Sequence, residues 1–184
     1  REWIKVMETA HRIGFNTTAT IMYGHVERPH HWASHLLEVK ALQQRTNGFT
    51  EFVPLPYVHM EAPMFLKGKS RSGPTFREAI LMHSVSRLVF HGLIPNIQTS
   101  WVKMGEKGVI ACLQAGANDL GGTLMNESIT RAAGANYGQE WPPAMIEQTI
   151  RSISRIPRMR TTLYQDAPDP RRKLAFNAVK LKEI

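Results

Sequence analysis

Thr17-Thr18-Ala19-Thr20-Ile21-Met22-Tyr23-Gly24-His25-Val26-Glu27 is the stretch on which the fold turns. Its first seven residues are uncharged and rich in β-branched side chains, as in a strand buried on both faces of a parallel sheet, and Gly24 ends the run. On its N-terminal side, Trp3, Val6, Met7, Ala10 and Ile13 recur at helical spacing, and Gly14 stops that helix. On its C-terminal side, after Pro29, apolar Trp32, Leu36, Leu37, Val39 and Leu42 mark a second helix ending near Gly48. Phe49-Thr50-Glu51-Phe52-Val53-Pro54 then reads as a second strand.

The alternation continues. Leu55 to Pro74 is rich in Pro, Gly and Ser and too long for a mere connection, which makes it a candidate lid. Thr75-Phe76-Arg77-Glu78 is a capping box opening a third helix, with Ile80, Leu81, Val85, Leu88 and Val89 as its expected buried stripe up to Gly92. Ile97 to Val102 is expected as a third strand, Glu106 to Ala115 as a fourth helix, and Ala117 to Gly122 as a fourth strand. A short helix at Ser128 to Ala133 and one opened by Pro142-Pro143, with Met145, Ile146, Ile150 and Ile153 inward, follow. The expected division is 1–164 as the folded part and 165–184 as a linker, Asp166-Ala167-Pro168-Asp169-Pro170, with a basic terminal helix.

Strand and helix units with short returns demand a parallel sheet, giving an α/β fold. Four such units make half a (β/α) barrel, and an isolated half would leave two sheet edges and an inner apolar face open. Further units are therefore expected before Arg1, the other reading being a complete four-stranded domain.

Composition narrows the classes. With 42% hydrophobic and 21% charged residues the chain is that of an ordinary globular protein. No apolar run nears the roughly 18 residues of a membrane helix, and no signal peptide is visible, so a cytoplasmic protein with no membrane partner is expected. The single cysteine, Cys112, can neither pair within the chain nor build an iron-sulfur cluster, which needs about three or four thiolates. The net charge of +8 is uneven: residues 1–150 hold 14 Lys/Arg against 12 Asp/Glu, whereas residues 151–184 hold 9 against 3. That tail offers only Tyr164 and Phe176 for base stacking, so a nucleic-acid partner is not expected, and a basic binding module stands as the rival from another class.

In β/α barrels the working groups stand at the C-terminal strand ends. That rule selects Tyr23, Gly24, His25, Val26 and Glu27 after the first strand and Pro54, Leu55 and Pro56 after the second. It also selects Gln98, Ser100 and Trp101 from the third and Asn118, Asp119, Gly121 and Gly122 from the fourth. Polar Gln98, Ser100, Asn118 and Asp119 beside buried strands need partners, either a polar substrate or one another. Gly121 and Gly122 either admit a ligand to the backbone or turn the chain. His25 at a strand end either exchanges a proton or bonds structural backbone. His31 and His35 share a helical face at zinc-ligand spacing but lack an acidic or thiolate third ligand, so no metal site is expected within the chain. Met60, Met64 and Phe65 either cover a ligand or pack on the rim.

The stretch from Thr17 to Glu27 resembles a signature of the radical S-adenosylmethionine enzymes that build deazaflavin and futalosine-route menaquinone. Phe49 to Pro56, Glu61-Ala62-Pro63, Gly73 to Glu78 and Asn96-Ile97-Gln98 resemble the FO synthase (7,8-didemethyl-8-hydroxy-5-deazariboflavin synthase) family. So do Ser100 to Lys103, Asn118 to Met125 and Arg160 to Tyr164, and the likeness runs from Trp3 to Tyr164 in one register. It is to the tyrosine-using subunit, which in actinobacteria is the C-terminal half of a fused protein.

The resemblance implies a TIM-type barrel of which this chain supplies the last four β/α units. A [4Fe-4S] cluster would be bound by cysteines upstream of it. In the family, the cluster cleaves S-adenosyl-L-methionine to a 5'-deoxyadenosyl radical that abstracts hydrogen from L-tyrosine. The 4-hydroxybenzyl group then joins 5-amino-6-(D-ribitylamino)uracil. The implied partners are these two substrates, the N-terminal half of the barrel, the second FO synthase domain and an electron donor. The implied cofactor contacts are Thr20, Met22, Gly24, Glu27, Pro54, Leu55 and Pro56, with Thr20 and Met22 standing where the looser G-x-I-x-G-x-x-E pattern has Gly and Ile. Gln98, Ser100, Trp101, Asn118, Asp119, Gly121 and Gly122 would hold the substrates, and Tyr23 and His25 would lie near the radical path. The nearest rival is the futalosine-route enzyme, which shares the Met22-Tyr23-Gly24-His25 strand end; Pro54-Leu55-Pro56 and Asn118 to Gly122 favour deazaflavin.

Overall fold

The structure, a computed structural model, describes residues 2–181, so the last residues of the expected terminal segment, 182–184, lie outside the described part. The described chain is α/β with a small parallel sheet. Strand β1 (Thr17–Tyr23) pairs with β2 (Phe49–Pro56), which pairs with β3 (Asn96–Ile97). The helices are α1 (Glu2–Arg12), α2 (Pro29–Thr46), α3 (Pro63–Leu66), α4 (Phe76–Val89), α5 (Trp101–Gln114), α6 (Ile129–Ala132), α7 (Pro143–Ser152) and α8 (Asp169–Phe176).

Local signals set most boundaries. Helix α2 begins at Pro29 and ends where Asn47 turns left-handed at φ 51°. Helix α4 opens on the expected capping box: Glu78 N–H donates to Thr75 Oγ1 at 3.2 Å, and Thr75 N–H donates to the Glu78 carboxylate at 2.7 Å.

Three expectations shift. The third strand is only Asn96–Ile97, because Ser100 caps α5 and Trp101 and Val102 turn into the helix. Gly105, at φ 63° and ψ 175°, breaks that helix internally, so the expected start at Glu106 coincides with its second part. The fourth strand is reduced to one parallel bridge, Gln98 to Asp119, with Thr99 N–H donating to the Asp119 carbonyl at 2.9 Å. Its neighbours Gly121 and Gly122 sit at φ 72° and 98°, outside the strand region. Finally, α4 buries Ala79, Met82, His83 and Ser86, while Leu81, Val85 and Leu88 of the expected stripe are exposed. Small Ala79 and Ser86 let this helix approach its neighbours closely, an arrangement hydrophobicity alone does not select.

Residues in parallel register share a face, and successive residues alternate. Ala19, Ile21 and Tyr23 pack with Phe52, Leu36, Val39, Leu42, Met82, Phe90 and Ile94 in a core between the sheet and its helices, with Ile4 and Met7 of α1 against it. A second core joins α5 to Trp141, Ile146 and Ile150. The opposite sheet face, here called inner, carries Thr18, Thr20 and Met22 beside Glu51, Val53 and Leu55. Thr18, Thr20 and Met22 are exposed, so β1 is covered on one face rather than the expected two; among the described residues none covers the other face.

Candidate active site

The tip of β1 is bound into a tight loop. Gly24 adopts φ 96°, and a Cβ there would fall inside the envelope of Pro74, which seats the end of the 55–74 segment against β1. Arg71 N–H donates to the His25 carbonyl at 3.0 Å, and Arg71 Nη1 donates to both Glu78 oxygens at 2.9 Å. The same segment touches the far side of the mouth, where Glu61 N–H donates to the Ala133 carbonyl at 3.1 Å. The candidate lid is thus tied to both sides, and Met60 packs over Gly134.

Within that loop the Glu27 carboxylate accepts from the backbone N–H of Gly24, of His25 at 3.0 Å and of Val26 at 3.1 Å, and from Trp32 Nε1–H at 2.7 Å. Burial pushes its pKa up, but the bonds from Gly24, its own amide, Trp32 and His25 outweigh that and bring it down to about 2. His25 Nδ1 lies 2.6 Å from Glu27 Oε2, at angles outside hydrogen-bond geometry. Tyr23 is wholly buried on the helix side, edge-on to Trp32 at 5.6 Å between ring centroids, with its hydroxyl unpartnered and its pKa raised by burial.

The remaining residues chosen from the sequence divide by face. Met22 pairs with Leu55 and Thr20 with Val53 on the inner face, whereas Pro54 and Pro56 follow the helix-facing register of Ile21 and Tyr23. Gln98, one residue past Ile97, turns inward beside Gly121, where an added Cβ would stand 2.6 Å from Gln98 Nε2. Its amide makes no hydrogen bond to other described residues. Thr20, Met22, Leu55 and Gln98 are therefore brought together on one open surface at the strand ends.

The others are held in the framework. Asn118 Oδ1 accepts from Arg87 Nη2 at 2.7 Å and from Ile97 N–H at 2.8 Å, and its Nδ2 donates to the Pro95 carbonyl at 3.1 Å. Asp119 Oδ1 accepts from Gly121 N–H at 2.7 Å. Trp101 Nε1 donates to the Gly122 carbonyl at 2.9 Å and stands edge-on to Trp141. Ser100 occupies the α5 N-cap without a side-chain cap bond. Asn118, Gly121 and Gly122 also border a cavity of about 430 Å³ against Ile146, Arg155 and Phe176. His31 Nδ1 accepts from Arg28 N–H at 3.1 Å, and His35 lies against Trp3 and Phe52, so that pair does not converge.

Residues 46–173 match the family described as the CofH/MqnC C-terminal region. This chain belongs to that family. It is 50% identical over 165 residues to the 5-amino-6-(D-ribitylamino)uracil--L-tyrosine 4-hydroxyphenyl transferase of Methanocaldococcus jannaschii, covering 90% of this chain and 46% of that protein. The corresponding transferase of Methanothermobacter thermautotrophicus is 47% identical over 168 residues, covering 91% of this chain and 46% of the relative. FO synthase of Streptomyces coelicolor is 47% identical over 173 residues, covering 94% of this chain and 20% of the relative. The chain thus spans under half the length of the two transferases and about a fifth of the longer enzyme.

In this CofH/MqnC C-terminal region the inner face also carries charges that the strand-end rule did not select. Arg160, from the segment after α7, donates through Nε and Nη2 to Asp119 and through Nη2 to Glu51 at 3.3 Å. Its guanidinium lies 4.2 Å from the centre of the Tyr164 ring. Burial, then the nearby Asp119 charge, raises the Glu51 pKa against the opposing pull of Tyr164 and Arg160. A carboxylate inside an otherwise uncharged strand, Phe49 to Pro56, was the available signal, since such a group demands a cation.

Proposed function

We propose that this chain is part of a radical S-adenosylmethionine enzyme of deazaflavin (FO) synthesis, one that joins the 4-hydroxybenzyl group of L-tyrosine to 5-amino-6-(D-ribitylamino)uracil. The carrying observation is the 50% identity, over 90% of the chain, to a transferase whose name states both substrates. The uncovered inner face of β1 supports a barrel completed by residues outside this sequence. In this reading residues 1–164 belong to the barrel, and 165–184 form a linker and basic terminal helix.

The residues at the strand tips suit S-adenosylmethionine. Met22 and Leu55 offer adjacent apolar surface for an adenosyl group, and exposed Thr20 offers a hydroxyl beside them. Pro54, Pro56 and Gly24 act behind that surface, by fixing the strand ends that present it. When bound with a [4Fe-4S] cluster, the cofactor supplies the one-electron chemistry that starts hydrogen abstraction. Cys112, the single cysteine, is buried in the α5 core, so the cluster's thiolates come from outside this sequence. Gln98 holds a polar substrate group through its free amide, and the tied lid segment excludes water from the mouth.

The test is anaerobic turnover by the full-length enzyme, supplied with S-adenosylmethionine, a reductant, L-tyrosine and the aminouracil. Formation of 5'-deoxyadenosine together with a hydroxybenzyl adduct of the uracil is expected. Turnover of a futalosine-route substrate in place of tyrosine would move the assignment to the menaquinone branch.

A further inference from the structure

Arg160 to Tyr164 belongs to the family likeness yet has no part in the strand-tip surface. It forms one arm and the tip of a hairpin. Arg160 pairs with Asp166 in an antiparallel bridge, Thr161 N–H donates to the Gln165 carbonyl at 2.8 Å, and Ala167 N–H donates to the Met159 carbonyl at 3.0 Å. Tyr164, left-handed at φ 61°, turns the chain, with its N–H on the Thr161 carbonyl at 3.1 Å. Arg158 and Asp166 form an ion pair across the open end. The hairpin thus holds its own shape, and Arg160 fastens it to the sheet through Asp119 and Glu51.

Register fixes which end of the sheet it meets. The three strands are parallel, and Glu51 is the third residue of β2, level with Thr18 of β1 and with Asn96 at the start of β3. Leu55 and Met22, at the tips, lie four residues further along their strands, about 13 Å at the rise of a strand. The hairpin therefore stands at the base of the inner face, at the end remote from the tips. The sheet does not fill that base with its own side chains: small β/α barrels pack their interior with bulky branched residues, whereas β1 offers Thr18 and Thr20. Arg160, its guanidinium 4.2 Å from the centre of the Tyr164 ring, brings bulk to this level from outside the sheet. Burial along β2 follows the same order, with Glu51 and Val53 each 6% exposed and Leu55 only half-buried. Val53 belongs to neither of the two helix-packed cores, so its cover lies on the inner face.

We infer that the Met159–Ala167 hairpin is the floor this chain contributes to the reaction cavity, with Arg160 as the positioning residue that holds it under β2 and the Asp119 bridge. The lower tier of the inner face is then closed, and the upper tier of Met22, Leu55 and Gln98 is left to ligand. Substrates and water enter through the mouth at the strand tips and not from below, which shields reactive intermediates from the base of the barrel as the tied lid does at the mouth. The inference rests on the proposed function only in taking the inner face to be the wall of the ligand cavity.

The decisive measurement is thiol labelling of the full-length protein, prepared without its cluster, by methyl methanethiosulfonate, with peptide mass spectrometry as the readout. Val53→Cys places a thiol on the inner face above the hairpin, and Ala19→Cys places one in the helix-side core of the same sheet. With Arg160 present, both are expected to react slowly. Arg160→Ala is expected to raise the rate of Val53→Cys relative to Ala19→Cys at least about tenfold, because the floor opens locally. Arg160→Lys is expected to restore part of the protection. A ratio that stays constant marks general destabilisation and overturns the inference, as does fast labelling of Val53→Cys with Arg160 present. A second measurement needs no change at Arg160: hydrogen exchange in the unaltered protein is expected to find the Thr161 and Ala167 amides protected at least about 100-fold, and unprotected amides overturn the inference. In the loaded enzyme, Arg160→Ala is expected to release at least about fivefold more 5'-deoxyadenosine per adduct formed, since water then reaches the intermediates from below. Unchanged coupling beside an opened Val53→Cys thiol overturns the sealing role. An enzyme inactive on tyrosine and the uracil, with both thiols behaving as expected, defeats the proposed function and supports the floor.

Discussion

Arg160 grips Asp119 with two nitrogens and reaches Glu51 with one of them, so a residue beyond α7 ties the bridge after β3 to strand β2 across the inner sheet face. Both carboxylates are nearly buried, and removing the cation would leave them uncompensated. Arg160→Ala is expected to lower the unfolding free energy by about 2–3 kcal/mol, discounted from the fully buried case because the guanidinium is 26% exposed. Arg160→Lys should recover only part of this, since an ammonium cannot form the two-nitrogen contact. Urea denaturation reads both. A loss under about 0.5 kcal/mol for Arg160→Ala would show that the contact is a solvated surface pair.

Gly24 and Gly14 separate backbone strain from steric contact. Their φ values, 96° and 95°, are nearly equal, yet a Cβ at Gly24 meets Pro74 whereas one at Gly14 meets nothing within 4 Å. Gly14→Ala should cost only the conformational strain, about 1 kcal/mol. Gly24→Ala should cost about 3 kcal/mol or more and free the 55–74 segment, visible as faster limited proteolysis within it. Equal losses of stability, with no change in cleavage, would show that Pro74 does not seat on this loop.

The sequence displayed the βα alternation because its punctuation is local. Gly14, Pro29, the Thr75–Glu78 box and Pro143 act within a few residues, and the helices begin or end beside them. It did not display which face of α4 is buried, because Leu81, Val85 and Leu88 are more hydrophobic than Ala79, His83 and Ser86, and close packing decided the matter. At the site, the strand-end rule reached Leu55 and Gln98, and the family resemblance implied Thr20 and Met22, whose place on the sheet follows from register. It missed Arg160, which arrives from 109 residues beyond Glu51, a separation no local pattern encodes. Nor does spacing tell that Asn118 is held by Arg87, Ile97 and Pro95 while the Gln98 amide makes no hydrogen bond to other described residues.

Stability should fall on mild acidification. Burial lowers the pKa of His11, His35 and His83 from 6.5, so below that value the unfolded chain binds more protons than the folded one. Their contribution is complete above pH 6.5 and is lost as pH falls through the lowered folded values. Glu27, depressed from 4.5 to about 2, adds a second loss between those limits, and Glu51, raised by burial, works in the opposite sense above 4.5. The Tm is therefore expected to decline from pH 7 to pH 5. His83 is wholly buried, with Nδ1 donating to the Ala79 carbonyl at 2.8 Å, so His83→Met should flatten the slope. An unchanged slope in that variant would remove His83 from the account.

Gln98 and Asn118 make the sharpest test of which polar strand-end residues meet substrate, because the fold has committed one amide and left the other open. Asn118→Ala forfeits bonds to Arg87, Ile97 and Pro95, two of them to groups that fix the start of β3. It should lower stability by about 2–3 kcal/mol, with substrate affinity of the folded enzyme within about twofold of wild type. Gln98→Ala loses no hydrogen bond to other described residues, so its stability should stay within about 0.5 kcal/mol. If Gln98 holds a substrate polar group, the same change should weaken binding of tyrosine or the aminouracil about tenfold, the worth of one directed hydrogen bond in a closed site. Calorimetric titration of each substrate into the full-length enzyme, beside thermal unfolding of both variants, separates the two roles. The opposite pattern, a destabilised Gln98→Ala that binds normally and a stable Asn118→Ala that does not, would place the substrate on the far side of the Gln98–Asp119 bridge, in the cavity beside α7.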